Sequence, residues 1–336
     1  MDLSELESLE IYREVFTEVR LWAPYVEEVC NRHGWTAGQV RAGTPGTYPT
    51  FIVDDHWVVK FFGRLFDGEQ AFETERILGN WLEEGVAQAP LAAPEVCAQG
   101  ELFPAGGSEA GPGWPWPYLI FRFVPGVSIG EGYGQVGLAS LQQLASELGH
   151  MVRRLHGRPL PAGGVFQPGW EEYLAFLDEQ WRNCSENQRA WGSLPERLVE
   201  QIGAYVLPPE RLVSLEDAPH LIHADLTRDH ILGSLEDDTW HTAAVIDWGD
   251  AQVGNLLYEL AALHLDLFAC DRRLLRAFMQ AYDPLSWLRE DFPRKALSVA
   301  LLHRFDVMGC VFTALPEAGQ VETLEELGRL VWDWEA

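Results

Sequence analysis

The chain has 336 residues, 47% of them hydrophobic, and a formal net charge of −27. This length and apolar content predict one large or two medium domains with a sizeable core. The acidic excess argues against a general nucleic-acid-binding protein, because phosphate backbones are contacted by Lys and Arg.

The N-terminal segment is acidic and predicts helices. Residues 4–33 carry Leu, Ile, Val and Trp at every third or fourth position, which is the spacing of one or two amphipathic helices. The first residues lack the basic and then apolar order of a secretory signal, and no apolar run in the chain is long enough to span a bilayer. We therefore expect a cytoplasmic protein without a membrane partner.

Short β-rich runs follow between residues 34 and 63. Gly, Pro and Asp separate them, so the pattern predicts a turn over 42–46, strands over 48–53 and 57–62, and a tight turn between these strands. Five cysteines lie far apart without a C-x-x-C pair, and they indicate reduced, mostly buried thiols.

An ion pair is predicted between the second of these strands and the helix after it. Glu75 lies on the apolar face of the helix AFETERILGNWLEE, and a carboxylate among apolar residues needs a buried partner. Lys60, in the strand VVKFF, is the partner that we assign to it. Glu73 falls on the opposite face and is predicted to be solvated. The alternative is that Glu75 lies at the edge of the apolar stripe.

The middle of the chain predicts a loop, a strand and a long helix. Residues 103–117 are rich in Pro and Gly and indicate a loop, and the apolar strand YLIFRFVPG comes after it. We place a domain boundary near Pro125. Residues 138–156 have the spacing of a long core helix.

Two segments carry chemistry. LIHADLTRDHIL holds His223, Asp225 and His230 among apolar residues, and Asp247 directly follows the apolar run of AVIDWGDAQVGNLLYELA. A hairpin would bring these carboxylates together, with strands at 231–232 and 242–246 and a turn at 233–238. Phosphoryl transfer needs this combination, namely a carboxylate for the acceptor hydroxyl and ligands that hold magnesium against nucleotide phosphates.

The two segments resemble the aminoglycoside phosphotransferase family, the small-molecule branch of the protein-kinase-like fold. Its catalytic loop reads H-x-D-x-x-x-x-N and its metal segment I-D-[WF]-x-x-A-x-x-G-D-P-x-x-D-L-A. Positions that match are His223, Asp225, Asp247, Trp248, Ala251, Gly254, Leu260 and Ala261. Glu259 replaces an Asp, and Asn255-Leu256 replaces Asp-Pro.

His230 departs from the usual Asn of the catalytic loop. An imidazole is a softer ligand than an amide oxygen, and magnesium prefers oxygen. Family members that act on macrolides, or on the double-primed ring of aminoglycosides, resemble this chain in having His there. The metal preference is therefore open.

The resemblance implies an α+β, bilobal protein-kinase-like fold that uses ATP or GTP with Mg²⁺. A small β-rich nucleotide-binding lobe with leading helices would comprise residues 1–125, and a large, mostly helical catalytic and acceptor-binding lobe residues 126–336. The GTPGT sequence at 43–47 lies where the loop that covers the nucleotide belongs. It is not G-x-G-x-x-G, and ordinary turn glycines are the alternative.

The resemblance also implies a role for each candidate residue. Asp225 would orient or deprotonate the acceptor hydroxyl, and His223 would brace the loop. The remaining roles are metal ligands at His230 and Asp247, phosphate and ion-pair contacts at Lys60 and Glu75, adenine contacts at Phe121 and the backbone of Arg122 to Val124, and loop anchors at Asp250 and Glu259.

The acceptor is the least determined part. The family implies transfer to a hydroxyl of a small molecule, with an aminoglycoside or hygromycin-like antibiotic as the first hypothesis, and an acidic cleft suits such a cation. Glu171, Glu172 and Asp266 are candidate acceptor ligands, although the first two would also complement a helix dipole. Alternatives are a kinase of a metabolite such as choline, homoserine, hydroxylysine or a ketoamine, and a nucleotide-binding pseudokinase. The oligomeric state is open.

Overall fold

A computed structural model describes residues 3, 6, 8–44, 46–85, 93–104, 113–283 and 291–333. They divide into two compact units. The first contains the described residues through Pro125 together with Ala244–Gly249, and the second contains Gly126–Ala243 and the described residues from Asp250 onward. The fold is α+β and kinase-like, with a β-sheet in the N-terminal part and a mostly helical remainder. Within the described residues, no helix is long and apolar enough to cross a membrane.

The first unit is built on one antiparallel sheet with the strand order β1-β2-β3-β5-β4. Its strands are β1 (Val40–Ala42), β2 (Thr50–Val53), β3 (Trp57–Phe61), β4 (Val96–Glu101) and β5 (Pro117–Arg122). Its helices are α1 (Leu9–Val15), α2 (Val19–Arg32) and α3 (Gly68–Gly85). Residues 105–112, in the middle of the predicted 103–117 loop, lie outside the described residues.

The two faces of this sheet pack on different helices. Successive side chains of a strand point to opposite faces, so Val59 and Phe61 of β3 enter a cluster with Trp22 of α2. Leu119, which pairs with Lys60, belongs to a second cluster that includes Ala71 of α3. Lys60 is therefore on the α3 face of the sheet.

The second unit is mostly helical. Its helices are α4 (Ile129–Gly132), α5 (Leu138–His156), α6 (Glu171–Trp191), α7 (Glu196–Val199), α8 (Ile202–Tyr205), α9 (Leu256–Ala262), α10 (Arg272–Tyr282), α11 (Phe292–Leu301), α12 (Met308–Ala314) and α13 (Leu324–Trp332). A π-helical turn, Leu263–Leu267, continues α9. The strands are β6 (Val127–Ser128), β7 (His220–Ile222), β8 (Ile231–Glu236), β9 (Thr239–Val245), which ends in the first unit, and β10 (Gln252–Gly254).

The predicted hairpin exists, but its predicted turn at 233–238 is wrong. The strand β8 continues to Glu236, and β9 starts at Thr239. Gly233 is a strand residue that pairs with Val127 of β6. A Cβ atom at this glycine would lie 2.2 Å from the carbonyl oxygen of His241, so close approach of the neighbouring strand, and not a turn, requires glycine here.

Candidate active site

In the first unit, Lys60 lies between two carboxylates. Its Nζ is 2.5 Å from Glu75 Oε1 and 2.6 Å from Asp247 Oδ1, and the lysine side chain is only 9% exposed. The ring centroids of Tyr48 and Phe62 lie 5.5 Å and 5.4 Å from the same nitrogen. Burial alone would lower the pKa of Lys60, but Asp247 and Glu75 outweigh it and raise this pKa. The ammonium group is therefore charged at neutral pH.

The helix α3 presents Glu75, and not Glu73, to Lys60. Glu75 is buried, and Glu73 forms an ion pair with Arg76, with Nη2 and Oε2 2.6 Å apart. Lys60 and Glu75, which the sequence predicts as an ion pair, are therefore in contact. Glu73 has its partner on its own helix.

Asp247 follows the end of β9 in a left-handed backbone conformation with φ 63°. Aspartate and asparagine adopt this conformation more readily than most other residues with a side chain. The turn that follows Asp247 is tight. Trp248 Nε1 donates to Val245 O at 3.1 Å, and a Cβ atom at Gly249 would lie 3.0 Å from Glu75 Oε1. Glycine at 249 thus leaves room for the Glu75 carboxylate.

The 43–47 loop lies beside this group. Its base is closed by the Gly43 N–H, which donates to Thr50 O at 2.8 Å. A Cβ atom at Gly46 would lie 3.9 Å from Asp247 Oδ2. The described residues of the loop therefore approach the same carboxylate that pairs with Lys60.

The predicted adenine segment begins at the end of β5. The side chain of Phe121 packs on the cluster of the α3 face. The N–H groups of Arg122 and Phe123 donate to Glu95 O at 2.8 Å and His56 O at 2.9 Å. These bonds engage the two N–H groups, and adenine contacts by the backbone of Arg122 to Val124 stay a prediction.

In the second unit, the 223–230 loop begins after β7. His223 is fully buried, and its Nδ1 accepts the Asp225 N–H at 3.4 Å. Ala224 has φ 68°, and its N–H donates to Glu259 Oε2 at 3.0 Å. Burial raises the pKa of Glu259 to about 7, against the opposing effect of N–H groups from Ala224 and His223. The predicted loop anchor, Glu259, is therefore in contact with the loop.

His230 has a defined tautomer. Its Nδ1 lies 2.6 Å from the carbonyl oxygen of Asp225, and because a carbonyl oxygen only accepts, Nδ1 carries the proton. When the ring is neutral, Nε2 then carries the lone pair, and in this form imidazole binds a metal ion. The side chain of His230 is 16% exposed.

Asp266 lies on the π-helical turn and contacts the same loop. Its Oδ1 accepts the Arg228 N–H at 2.8 Å and the Arg228 Nε–H at 3.3 Å. The guanidinium lies 4.7 Å from the Tyr133 ring centroid. The structure thus gives Asp266 a contact that holds the loop, and its acceptor role stays a prediction.

Sequence reasoning missed His303 and Arg304, which follow α11. His303 Nε2 donates to Ala224 O at 3.1 Å, and its Nδ1 accepts the Phe305 N–H at 3.2 Å. Burial lowers the pKa of His303 to about 4, so the ring is neutral. Arg304 Nη1 donates to Asp250 Oδ1 at 2.9 Å, which gives the predicted anchor Asp250 its partner. A histidine after a helix, far from the motif in sequence, carries no local signal of this role.

Glu171 and Glu172 begin α6 and are exposed. Their position suits the helix dipole, and their role as acceptor ligands stays a prediction.

Asp247 and His230 are the two candidate metal ligands. Within the part of the chain that the structure describes, no group of three or more His, Cys, Asp and Glu side chains is arranged to hold a metal ion. Mg²⁺ in phosphotransferases is typically held by one or two protein ligands together with phosphate oxygens and water. Asp247 supplies a carboxylate in the first unit and His230 an imidazole in the second, and their role as metal ligands stays a prediction.

Comparison with known proteins gives a family and two relatives. The model of the phosphotransferase enzyme family (APH) matches residues 39–294. Hygromycin-B 4-O-kinase of Escherichia coli is 26% identical over 206 residues, which are 60% of this chain and 56% of that protein. Lysine-specific demethylase JMJ21 of Arabidopsis thaliana is 24% identical over 272 residues, which are 65% of this chain and 28% of that protein. The chain thus spans less than two thirds of either relative.

A solved structure shows the same fold. The GDP and kanamycin complex of APH(2")-IIia has a TM-score of 0.62 at 18% identity, and the likeness covers 94% of this chain and 98% of that one. The family model spans most of the chain and includes Lys60, Glu75, Asp225 and Asp247. The chain therefore belongs to the phosphotransferase enzyme family.

Proposed function

We propose that the chain is an ATP- or GTP-dependent phosphotransferase that moves the γ-phosphate to a hydroxyl of a cationic small molecule, an aminoglycoside or a hygromycin-like antibiotic. The observation that carries this proposal is the buried Lys60, with Glu75 2.5 Å and Asp247 2.6 Å from its Nζ. A buried ammonium held by a helix carboxylate and next to a second carboxylate is the arrangement that nucleotide phosphates and their metal ion require.

In the nucleotide-binding lobe, residues 1–125, Lys60 would contact the α- and β-phosphates while Glu75 fixes the direction of its side chain. Phe121 and the backbone of Arg122 to Val124 would contact the adenine or guanine. Asp247 and His230 would hold Mg²⁺, which, when bound, neutralises charge on the phosphates. The neutral Nδ1–H tautomer of His230 supports this ligand role.

In the catalytic and acceptor-binding lobe, residues 126–336, Asp225 would accept the proton of the acceptor hydroxyl or orient that hydroxyl in line. The acceptor oxygen would then form a bond to the γ-phosphorus as the bond to the β–γ bridging oxygen breaks, and the nucleoside diphosphate would leave. Ala224 donates its N–H to Glu259 and accepts at its carbonyl oxygen from His303, and these two bonds support a fixed position for the residue that precedes Asp225.

Charge and likeness support the cationic acceptor. The net charge of −27 would steer a polycation toward the protein. One relative is named for hygromycin B, and the solved neighbour is a kanamycin complex. In this proposal, Glu171 and Glu172 contact the acceptor. The protein would act in the cytoplasm, where ATP and GTP are present.

A panel of acceptors tests the proposal. Wild-type protein with Mg²⁺ and labelled ATP or GTP should phosphorylate at least one aminoglycoside or hygromycin B, and Asp225→Ala should lower turnover on the order of a hundred- to ten-thousand-fold while nucleotide affinity stays nearly intact. Phosphorylation of a hydroxylated amino acid or choline, with none of the antibiotics, would move the chain to the metabolite kinases. Nucleotide binding without transfer to any acceptor would support the pseudokinase.

A further inference from the structure

The helix α1 reaches the 43–47 loop through one buried side chain. Tyr12, 2% exposed, donates its phenolic O–H to the carbonyl oxygen of Thr47 at 2.7 Å. The bond joins residues 35 positions apart, so the loop is tied to a helix that precedes the sheet. Nothing in the sequence pattern of α1 suggests a contact with this loop.

The residues next to Thr47 face the charged group around Lys60. On one side, a Cβ atom at Gly46 would lie 3.9 Å from Asp247 Oδ2. On the other side, the ring of Tyr48 lies 5.5 Å from Lys60 Nζ. The hydrogen bond from Tyr12 is therefore made to the residue that joins these two neighbours of the charged group.

Tyr12 itself is fixed on several sides. Its ring stacks on Phe16 with centroids 5.5 Å apart and contacts Phe66 at 5.9 Å. A Cβ atom at Gly63 would lie 3.4 Å from the Tyr12 ring. Burial raises the pKa of Tyr12, so the phenol keeps its proton and remains a donor. A rigid donor of this kind restricts the backbone that accepts from it.

We propose that Tyr12 is a positioning residue for the nucleotide, because it orders the backbone of residues 46–48 before a nucleotide binds. The inference rests on the proposed nucleotide-dependent function. A glycine-containing loop that must close over phosphates loses conformational freedom on binding, and a contact that orders the loop in advance removes part of this cost. Tyr12 does not touch the nucleotide in this proposal. It acts through Thr47, so its removal should weaken the affinity for the nucleotide and leave the affinity for the acceptor unchanged.

The test compares Tyr12→Phe with a matched variant of the same unit, Tyr118→Phe. Tyr118 is equally buried, and its hydroxyl lies 3.0 Å from His33 Nε2. Isothermal titration with Mg²⁺ and a non-hydrolysable ATP or GTP analogue gives the dissociation constant. Loss of the hydrogen bond from Tyr12 to Thr47 should raise this dissociation constant roughly three- to tenfold in Tyr12→Phe. Tyr118→Phe should bind as wild type does.

Hydrogen exchange of the nucleotide-free proteins is the second readout. Amides of the peptide that contains residues 43–48 should exchange faster in Tyr12→Phe than in wild type or Tyr118→Phe. A wild-type dissociation constant for Tyr12→Phe, equal weakening in both variants, or unchanged exchange of this peptide would overturn the inference and leave the proposed function intact. Absence of analogue binding by the wild-type protein would instead overturn the nucleotide-dependent function, and this inference with it.

Discussion

Lys60 Nζ and Asp247 Oδ1 are 2.6 Å apart, although the two residues are separated by 187 positions in the chain. The candidate metal ligand is thus paired with the candidate phosphate ligand. A nucleotide phosphate that binds Lys60 would compete with Asp247 for the ammonium group, and a metal ion at Asp247 would weaken this competition. Metal and nucleotide should therefore bind cooperatively.

Asp247→Asn should change nucleotide binding in opposite directions with and without metal. With EDTA present, nucleotide affinity should rise several-fold, because a carboxylate that competes for Lys60 is removed. With Mg²⁺ present, turnover should fall by about a hundredfold or more. Isothermal titration and an acceptor assay measure both effects, and Asp55→Asn, at an exposed aspartate paired with Arg41, is the control. Weaker binding of metal-free nucleotide by Asp247→Asn would contradict the pairing argued above.

Lys60 and Glu75 should act as a unit. Lys60→Met and Glu75→Gln should each weaken nucleotide binding, and the double variant should lose less than the sum, with a coupling free energy of about 1–3 kcal/mol. Glu73→Gln is the control on the same helix, because a half-exposed pair between neighbouring turns, such as Glu73 and Arg76, contributes little. Additive losses in this cycle would show that the two residues act independently.

Periodicity predicted much of this architecture, because it reports which face of an element is buried. The helix at 138–156 and the placement of Glu75, and not Glu73, against Lys60 follow from it. The prediction of a turn at Gly233 is wrong because glycine occurs both in turns and in strands that a neighbouring strand approaches closely. Only the partner strand distinguishes the two cases.

Of the two side chains that contact the backbone of Ala224, the sequence predicts only one. Glu259 lies inside a recognisable motif, whereas His303 follows α11 and is 79 positions from the residue it contacts. Tyr12 and Thr47 are a similar case. Side chains that support a site from a distant part of the chain are selected by tertiary packing, and single-sequence patterns do not record such pairs.

His230 should set the metal preference. His230→Asn supplies the amide oxygen that is usual in the family, so the ratio of activity with Mn²⁺ to activity with Mg²⁺ should fall while transfer is retained. His150→Asn, at an exposed position of α5, is the matched control and should leave the ratio unchanged. An unchanged ratio in His230→Asn, or complete loss of activity in a folded protein, would count against a ligand role.

Glu259 and His303 should give the protein two opposite dependences of stability on pH. The pKa of Glu259 is raised from 4.5 to about 7 by burial. The folded state therefore holds a proton that the unfolded state has released, and the stabilisation is lost as pH rises through this window. The pKa of His303 is lowered from 6.5 to about 4, again by burial. Its stabilisation is present above pH 6.5 and is lost as pH falls toward 4.

Urea unfolding of wild type, Glu259→Gln and His303→Gln at a series of pH values between 4 and 8 separates the two groups. The free energy of unfolding of wild type relative to Glu259→Gln should fall by up to a few kcal/mol from pH 5 to pH 8, because each pKa unit corresponds to about 1.4 kcal/mol. Relative to His303→Gln it should rise from pH 4 to pH 6.5. Because both side chains bond Ala224, each variant should also lower turnover. A difference between wild type and Glu259→Gln that does not vary with pH would mean that Glu259 is ionised in the folded protein.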